Sequence, residues 1–167
     1  MILKITLWNQ LKLLSSLLVL TSCYIGLLIY AEIPLEKRAI LIFSLPYLIL
    51  FFIPVAIIHL NHYIKSKGII YKIDETGITK IVKNEEEFIP TTNIKEITFF
   101  MTPNRFLDSA TRSFPFEDYY YAEIITTEKK VVFISCFYST KIDKILEMNF
   151  KELKIKKLKT IYPLINC

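Results

Sequence analysis

Residues 39–60, AILIFSLPYLILFFIPVAIIHL, run for 22 positions without a charge. A helix rises about 1.5 Å per residue, so this stretch reaches across a hydrocarbon core of roughly 30 Å. In a chain of 167 residues there is too little protein elsewhere to cover it as a soluble core helix. Pro46 and Pro54 fall inside it. A membrane helix tolerates them as kinks, because neighbouring groups can satisfy the freed carbonyls. Residues 13–31 form a second uncharged run of 19 positions. The short polar connection between the runs predicts an antiparallel transmembrane hairpin, with helices at 13–31 and 39–60.

Within the first run, Leu20-Thr21-Ser22-Cys23 fits the lipobox pattern, in which an acylated cysteine follows a cleaved signal. A cleaved lipoprotein normally continues into a polar tether. Here Tyr24-Ile25-Gly26-Leu27-Leu28-Ile29-Tyr30 keeps the apolar run going to spanning length, which favours an uncleaved helix. Lys4, Lys12, Lys65, Lys67 and Lys72 flank the hairpin on its open side. Only Lys37 and Arg38 lie in the connection, offset by Glu32 and Glu36. Basic residues concentrate on the cytoplasmic side, so both termini are expected inside, in the bacterial cytoplasmic membrane. Trp8, Tyr30 and Tyr63 sit where interfacial aromatics belong.

Residues 65–167 read as a separate cytoplasmic domain beside a 1–64 membrane segment. They hold 17 Lys/Arg and 14 Asp/Glu, a net charge of +3. That is too weak a bias for a nucleic-acid binder. The apolar pattern now alternates with period two: Ile69, Tyr71 and Ile73 against Ile70, Lys72 and Asp74. Asp74-Glu75-Thr76-Gly77 is a turn, and residues 78–83 make its hairpin partner. Further strands are expected at 87–90, 93–101, 119–127 and 130–138, a meander closing into a barrel or sandwich. After Tyr138, residues Ile142, Ile145, Leu146, Phe150 and Leu153 recur at helical spacing, then the stripe shifts to Ile155, Leu158 and Tyr162. One straight helix cannot bury both stripes, so a break near Asn149 and two helices, or one strongly bent, are expected.

The chemistry-bearing residues are sparse. His59 and His62 are the only histidines, with no carboxylate or thiol near in sequence to complete a metal site. They read as polar residues at the membrane interface. With no histidine in residues 65–167, neither a Ser–His nor a Cys–His nucleophile is expected there. Cys136 within VVFISCF reads as buried and inert. The three cysteines form no disulfide framework. No glycine loop cradles a phosphate. Glu85-Glu86-Glu87 read as a solvated hairpin tip. No enzymatic activity, metal or cofactor is expected.

The hairpin, the strands containing YKIDETGITKI and FIPTTNIKEITFF, and KVVFISCFYSTKIDKI leading into a helix resemble the bacterial PH-like membrane proteins. The chain is most similar to the YcxB-like group. Glu75-Thr76-Gly77-Ile78 matches the turn between that group's first strands. Residues 92–97 match its following segment, without the aromatic. The resemblance implies an α+β membrane protein whose PH-like domain has seven strands and a capping C-terminal helix. The strand not found by periodicity would lie around 105–107. The group carries no settled enzymatic role, so the likeness implies architecture rather than chemistry.

Two surfaces are candidates for binding. The aperiodic stretch 102–118 combines Arg105 and Arg112 with Phe106, Phe114 and Phe116, residue types that anchor protein interfaces. The alternative is a loop whose phenylalanines tuck back onto the sheet. Lys151, Lys154, Lys156, Lys157 and Lys159 could rest on anionic inner-leaflet lipid at about 1 kcal/mol each, or simply form a solvated helix face. The leading expectation is a non-enzymatic membrane-anchored module presenting its domain to a protein partner, for instance as an immunity protein neutralising a toxin. Its rivals are a lipid-sensing or membrane-regulatory domain, and an exposed lipoprotein.

Overall fold

A computed structural model of the chain describes residues 1–31, 37–109 and 114–166; for Lys37, Arg38, Ile40 and Leu41 it describes the backbone alone. The architecture is α+β, an apolar helical pair attached to two four-stranded sheets. A short N-terminal strand β1 (Ile2–Leu3) precedes α1 (Leu7–Tyr30), whose Thr6 side chain caps the helix by accepting from Asn9 N at 3.2 Å. The second arm is α2 (Lys37–Tyr47), a π-helical turn at Leu48–Phe52, and α3 (Ile53–Ser66). Leu7–Tyr30 and Ile42–Ser66 are each long and apolar enough to cross a membrane. They exceed the 13–31 and 39–60 read from charge spacing, because helical hydrogen bonding continues through Lys12 and on past Asn61 and Lys65.

The π turn has a covalent cause. Pro54 has no N–H and its ring crowds the carbonyl four residues back, so the ladder widens beforehand and Ile53 N donates to Leu48 O. The arms are antiparallel: Thr21 Oγ1 lies 2.5 Å from Tyr47 Oη, and Tyr24 Oη donates to Ser44 Oγ at 3.3 Å. Leu13 and Val55 close the lower part of the pair, both fully buried.

Gly68, at φ +76, ends α3 in the left-handed conformation that a side chain resists. The first sheet follows in the order β1, β2 (Ile69–Asp74), β3 (Gly77–Val82), β4 (Glu85–Pro90), all antiparallel. Asp74 Oδ1 accepts from Thr76 N at 2.9 Å and Gly77 N at 3.2 Å, the Asx bonding that closes the first turn. Gly77 is required by contact, since a Cβ there would sit 2.3 Å from Ile89 O. The next turn is Lys83-Asn84, both at positive φ as a two-residue hairpin of this hand demands. The three glutamates expected at this tip lie instead in β4, where Glu86 pairs with Lys72 at 2.9 Å and Glu87 with Lys130.

The second sheet has the order β7 (Val131–Ser135), β6 (Tyr120–Thr126), β5 (Ile94–Met101), β8 (Ile155–Lys159). Ile73, Ile78, Ile97, Phe99, Ile124 and Ile134 form the core between the sheets. Tyr71 bridges them by donating to Phe133 O at 2.9 Å. Each such buried side chain contributes about 1.5–3 kcal/mol. Helix α5 (Ile142–Asn149) caps the open end with Ile142, Ile145 and Leu146, and Phe150 follows them into the core.

Two expectations are corrected here. No second helix follows Asn149: Ile155–Lys159 is a strand, parallel to β5. The strand sought at 105–107 is absent, and Pro103–Phe106 forms a short helix, α4, started by its proline. The domain reaches seven strands through β8, which comes after the helix rather than before it. An eighth, β1, is contributed by the residues before α1.

Candidate functional site

Six polar residues of the apolar arms, Asn9, Ser16, His59, Asn61, His62 and Ser66, converge on the junction with the β domain. His59, His62 and Ser66 recur at three- and four-residue steps along one face of α3. His59 Nδ1 lies 2.8 Å from Tyr119 Oη, and its ring centroid 4.7 Å from that of Phe137. His62 is fully buried, with Nε2 2.7 Å from Pro163 O. A carbonyl can only accept, so that nitrogen carries the hydrogen and Nδ1 presents a lone pair. Ser66 and Ser135 hydroxyls meet at 2.9 Å, and Tyr138 Oη donates to Ser66 O at 3.0 Å. Asn61 and Ile165 are bonded both ways: Ile165 N donates to Asn61 Oδ1 at 2.8 Å, and Asn61 Nδ2 to Ile165 O at 3.3 Å. From α1, Asn9 Nδ2 donates to Tyr138 O at 2.8 Å and Ser16 Oγ to Asp118 Oδ2 at 3.1 Å.

At this junction a histidine does lie beside Cys136. His62 arrives from the helical arm, and its Nδ1 lies 3.8 Å from Cys136 Sγ. The pair is sealed, and burial pushes the Cys136 thiol up to about 12. The thiol therefore stays protonated at neutral pH and makes a weak hydrogen bond rather than a nucleophile. Among the described residues no group of three His, Cys, Asp or Glu could hold a metal ion.

The expected interface residues are largely engaged within the chain. Arg105 Nη2 donates to both Asp143 oxygens at 3.1 Å and to Thr140 O at 2.9 Å, while its guanidinium lies over the Tyr120 ring at 4.2 Å. Tyr120 Oη completes the cluster by donating to Asp143 Oδ1 at 3.0 Å. Arg105 and Asp143 side chains are each 15% exposed, so this pair bolts α4 to α5. Phe106 is half-buried beneath the Lys159 ammonium, 4.7 Å away. Arg112 lies outside the described residues. Phe116 is buried and Phe114 half-exposed. Their rings stack at 5.2 Å, and Phe114 stacks in turn on Phe51 at 5.9 Å. Tyr47 and Tyr24 extend this ladder up the helical arms, and Tyr162 ends it in the tail. The organiser of the loop is Glu117, one of two adjacent acids, Glu117-Asp118, in the sequence. It is buried, and accepts from Asn104 Nδ2 at 2.8 Å and Phe114 N at 3.1 Å.

The lysines do not make one cationic face. In a strand, neighbours alternate sides. Lys156 is drawn to Glu96 at 2.8 Å, Lys157 to Glu147 at 2.8 Å, and Lys159 to Phe106. Lys151 and Lys154 are exposed.

No family model and no curated protein matches the chain. Among solved structures, "Structure of the Spt16D Pob3N heterodimer" is similar over 55% of this chain at 15% identity, with a TM-score of 0.35. The match covers 48% of that chain, about half its length.

Proposed function

We propose that the protein is a non-enzymatic, membrane-anchored binding module: a transmembrane hairpin with both ends in the cytoplasm, bearing a PH-like domain that meets a protein partner. The excess of basic residues on the open side of the hairpin supports this orientation. Pairing of β1 with β2 supports it too, because it keeps the start of α1 beside the end of α3. Burial of Leu3, Leu13 and Leu17 favours retention of the first 22 residues over cleavage at Cys23.

The observation that carries the partner surface is the outer face of the first sheet. Antiparallel register sets Ile2, Lys72, Thr79 and Phe88 in one row across four strands, with Ile70, Ile81 and Glu86 in the next. Ile2 is 65% and Phe88 55% exposed, an apolar strip on a rigid scaffold with its charges paired. This surface takes the place of the 102–118 loop, whose described anchors are engaged internally. Neutralisation of a membrane-acting toxin is one concrete form of the role.

Affinity capture of the full chain from detergent-solubilised membranes tests the proposal. A stoichiometric protein partner that is lost in Phe88→Glu and Ile70→Glu, with thermal stability retained, is expected. Capture unaffected by both substitutions would remove the surface, and no protein partner at all would remove the role. The lipid-regulatory reading keeps support from exposed Lys151 and Lys154. It predicts instead that charge reversal at Lys154, Lys156 and Lys157 lowers co-purification of anionic lipid.

A further inference from the structure

We infer that the β domain is seated partly inside the inner leaflet, with residues 114–116 and the tail 161–164 immersed in acyl chains on two flanks of the hairpin. This rests on the membrane-spanning reading above. The depth follows from the register of the two arms. Thr21 meets Tyr47 and Tyr24 meets Ser44. Continued downward, that antiparallel step brings Lys12 level with Ala56.

Lys12 is the last charge on α1 before the connection at 32–36. An ammonium is costly in hydrocarbon and reaches for the headgroups, so the inner boundary of the apolar core lies near this level. Phe51 is five residues beyond Ala56, about 7 Å deeper along the axis. Phe114 stacks on Phe51, and across a cleft of about 410 Å³ it and Pro115 face Val19, Leu20 and Cys23. Val19 is seven residues beyond Lys12, about 10 Å. The tip of this arm therefore stands well above the headgroup level.

The second arm reaches a shallower level. Tyr162 and Leu164 line a cleft with Ile53, Pro54, Ile57 and Ile58. Ile161 is 62% and Tyr162 48% exposed, the amphipathic exposure of interfacial side chains. Neither 114–116 nor 160–166 contains a charge, while Lys159 stands at the root of the second arm. The acids beside the first arm are both engaged within the protein: Glu117 is buried and accepts from Asn104 Nδ2 and Phe114 N, and Asp118 accepts from Ser16 Oγ of α1. Among the described residues, the lipid-facing surface of the helices thus continues without a charged break onto both arms, and acyl chains are the occupant that this continuity selects.

Depth-dependent fluorescence quenching tests the seating. In a Trp8→Phe background, which removes the single native tryptophan, one tryptophan is introduced at Phe114, Ile161, Ile25 or Phe88. The full chain is placed in phosphatidylcholine–phosphatidylglycerol vesicles carrying brominated acyl chains. Tryptophan at 114 and 161 is expected to lose most of its emission to brominated lipid and to resist aqueous acrylamide, as at 25 on the hairpin. Position 88 should show the reverse. Quenching by lipid at 25, with 114 and 161 behaving like 88, would overturn the seating and leave the hairpin standing. No lipid quenching at 25 would overturn both. Ile161 is mostly exposed, so Ile161→Trp carries the test even if Phe114→Trp disturbs its stack.

Discussion

Arg105 shows how a residue type can mislead when its partner is far along the chain. An arginine in an aperiodic, phenylalanine-rich stretch has the composition of an interface anchor. Asp143, which claims it, lies 38 residues away in α5, where no local pattern marks it. Arg105→Ala would strand a largely buried aspartate and is expected to cost about 3 kcal/mol. Arg105→Lys would keep the charge but lose the two-oxygen grip, and should fall between. Chemical denaturation of the detergent-solubilised chain measures both. Cys136 was legible as buried from VVFISCF alone. His62 beside it was not, because a histidine in an apolar helix and a thiol 74 positions later share no sequence signal.

Among the elements, β2 to β7 were legible because turn residues bound them and β2 in particular alternates between a core face and an outer face. Strand β8 was not, for a reason visible in KIKKLK: as an edge strand it has neither face fully buried, so its period of two is lost. Ile155 and Leu158 then suggest a helix. Lysines on an edge strand discourage further strand pairing, and Lys154, Lys156, Lys157 and Lys159 lie along such an edge. Lys156 is held by Glu96, and this contact sets a pH dependence. The Lys156 hydrogen bond, with the charges of Lys156 and Lys154 behind it, holds the Glu96 carboxyl below its ordinary 4.5. A carboxyl lowered in the folded state adds stability that is complete above that ordinary value and is lost as the pH falls through the lowered one. Hydrogen-exchange protection of β8 is therefore expected to fall in acid, once the pH drops below that ordinary value. In Glu96→Gln it should no longer change over that interval.

For the whole molecule, the legible parts were the two halves and the hidden part was their junction. A polar residue near the end of an apolar helix looks interfacial, yet Asn9, His59, Asn61 and His62 are the contacts that lock the helices to the sheets. His62→Phe would leave Pro163 O without its donor in a sealed site, at about 1–3 kcal/mol. Exchange protection is expected to drop first in residues 160–166, with β2 and β3 little changed. A uniform loss across the chain would mean that the junction unfolds with the domain as one unit.

The pairing of β1 with β2 also has a consequence for biosynthesis. Met1 N donates to Ile73 O at 2.7 Å, and Ile73 N to Met1 O at 2.8 Å, across a separation of 72 residues that contains both apolar helices. At about 5–20 residues per second on the ribosome, the first strand waits seconds for its neighbour to be made. The sheet can close only after both helices have reached their antiparallel arrangement. On the membrane-spanning reading proposed above, a chain whose helices fail to insert would keep the edge of β2 open, a ready substrate for quality-control proteases, and insertion would act as the checkpoint for folding of the domain.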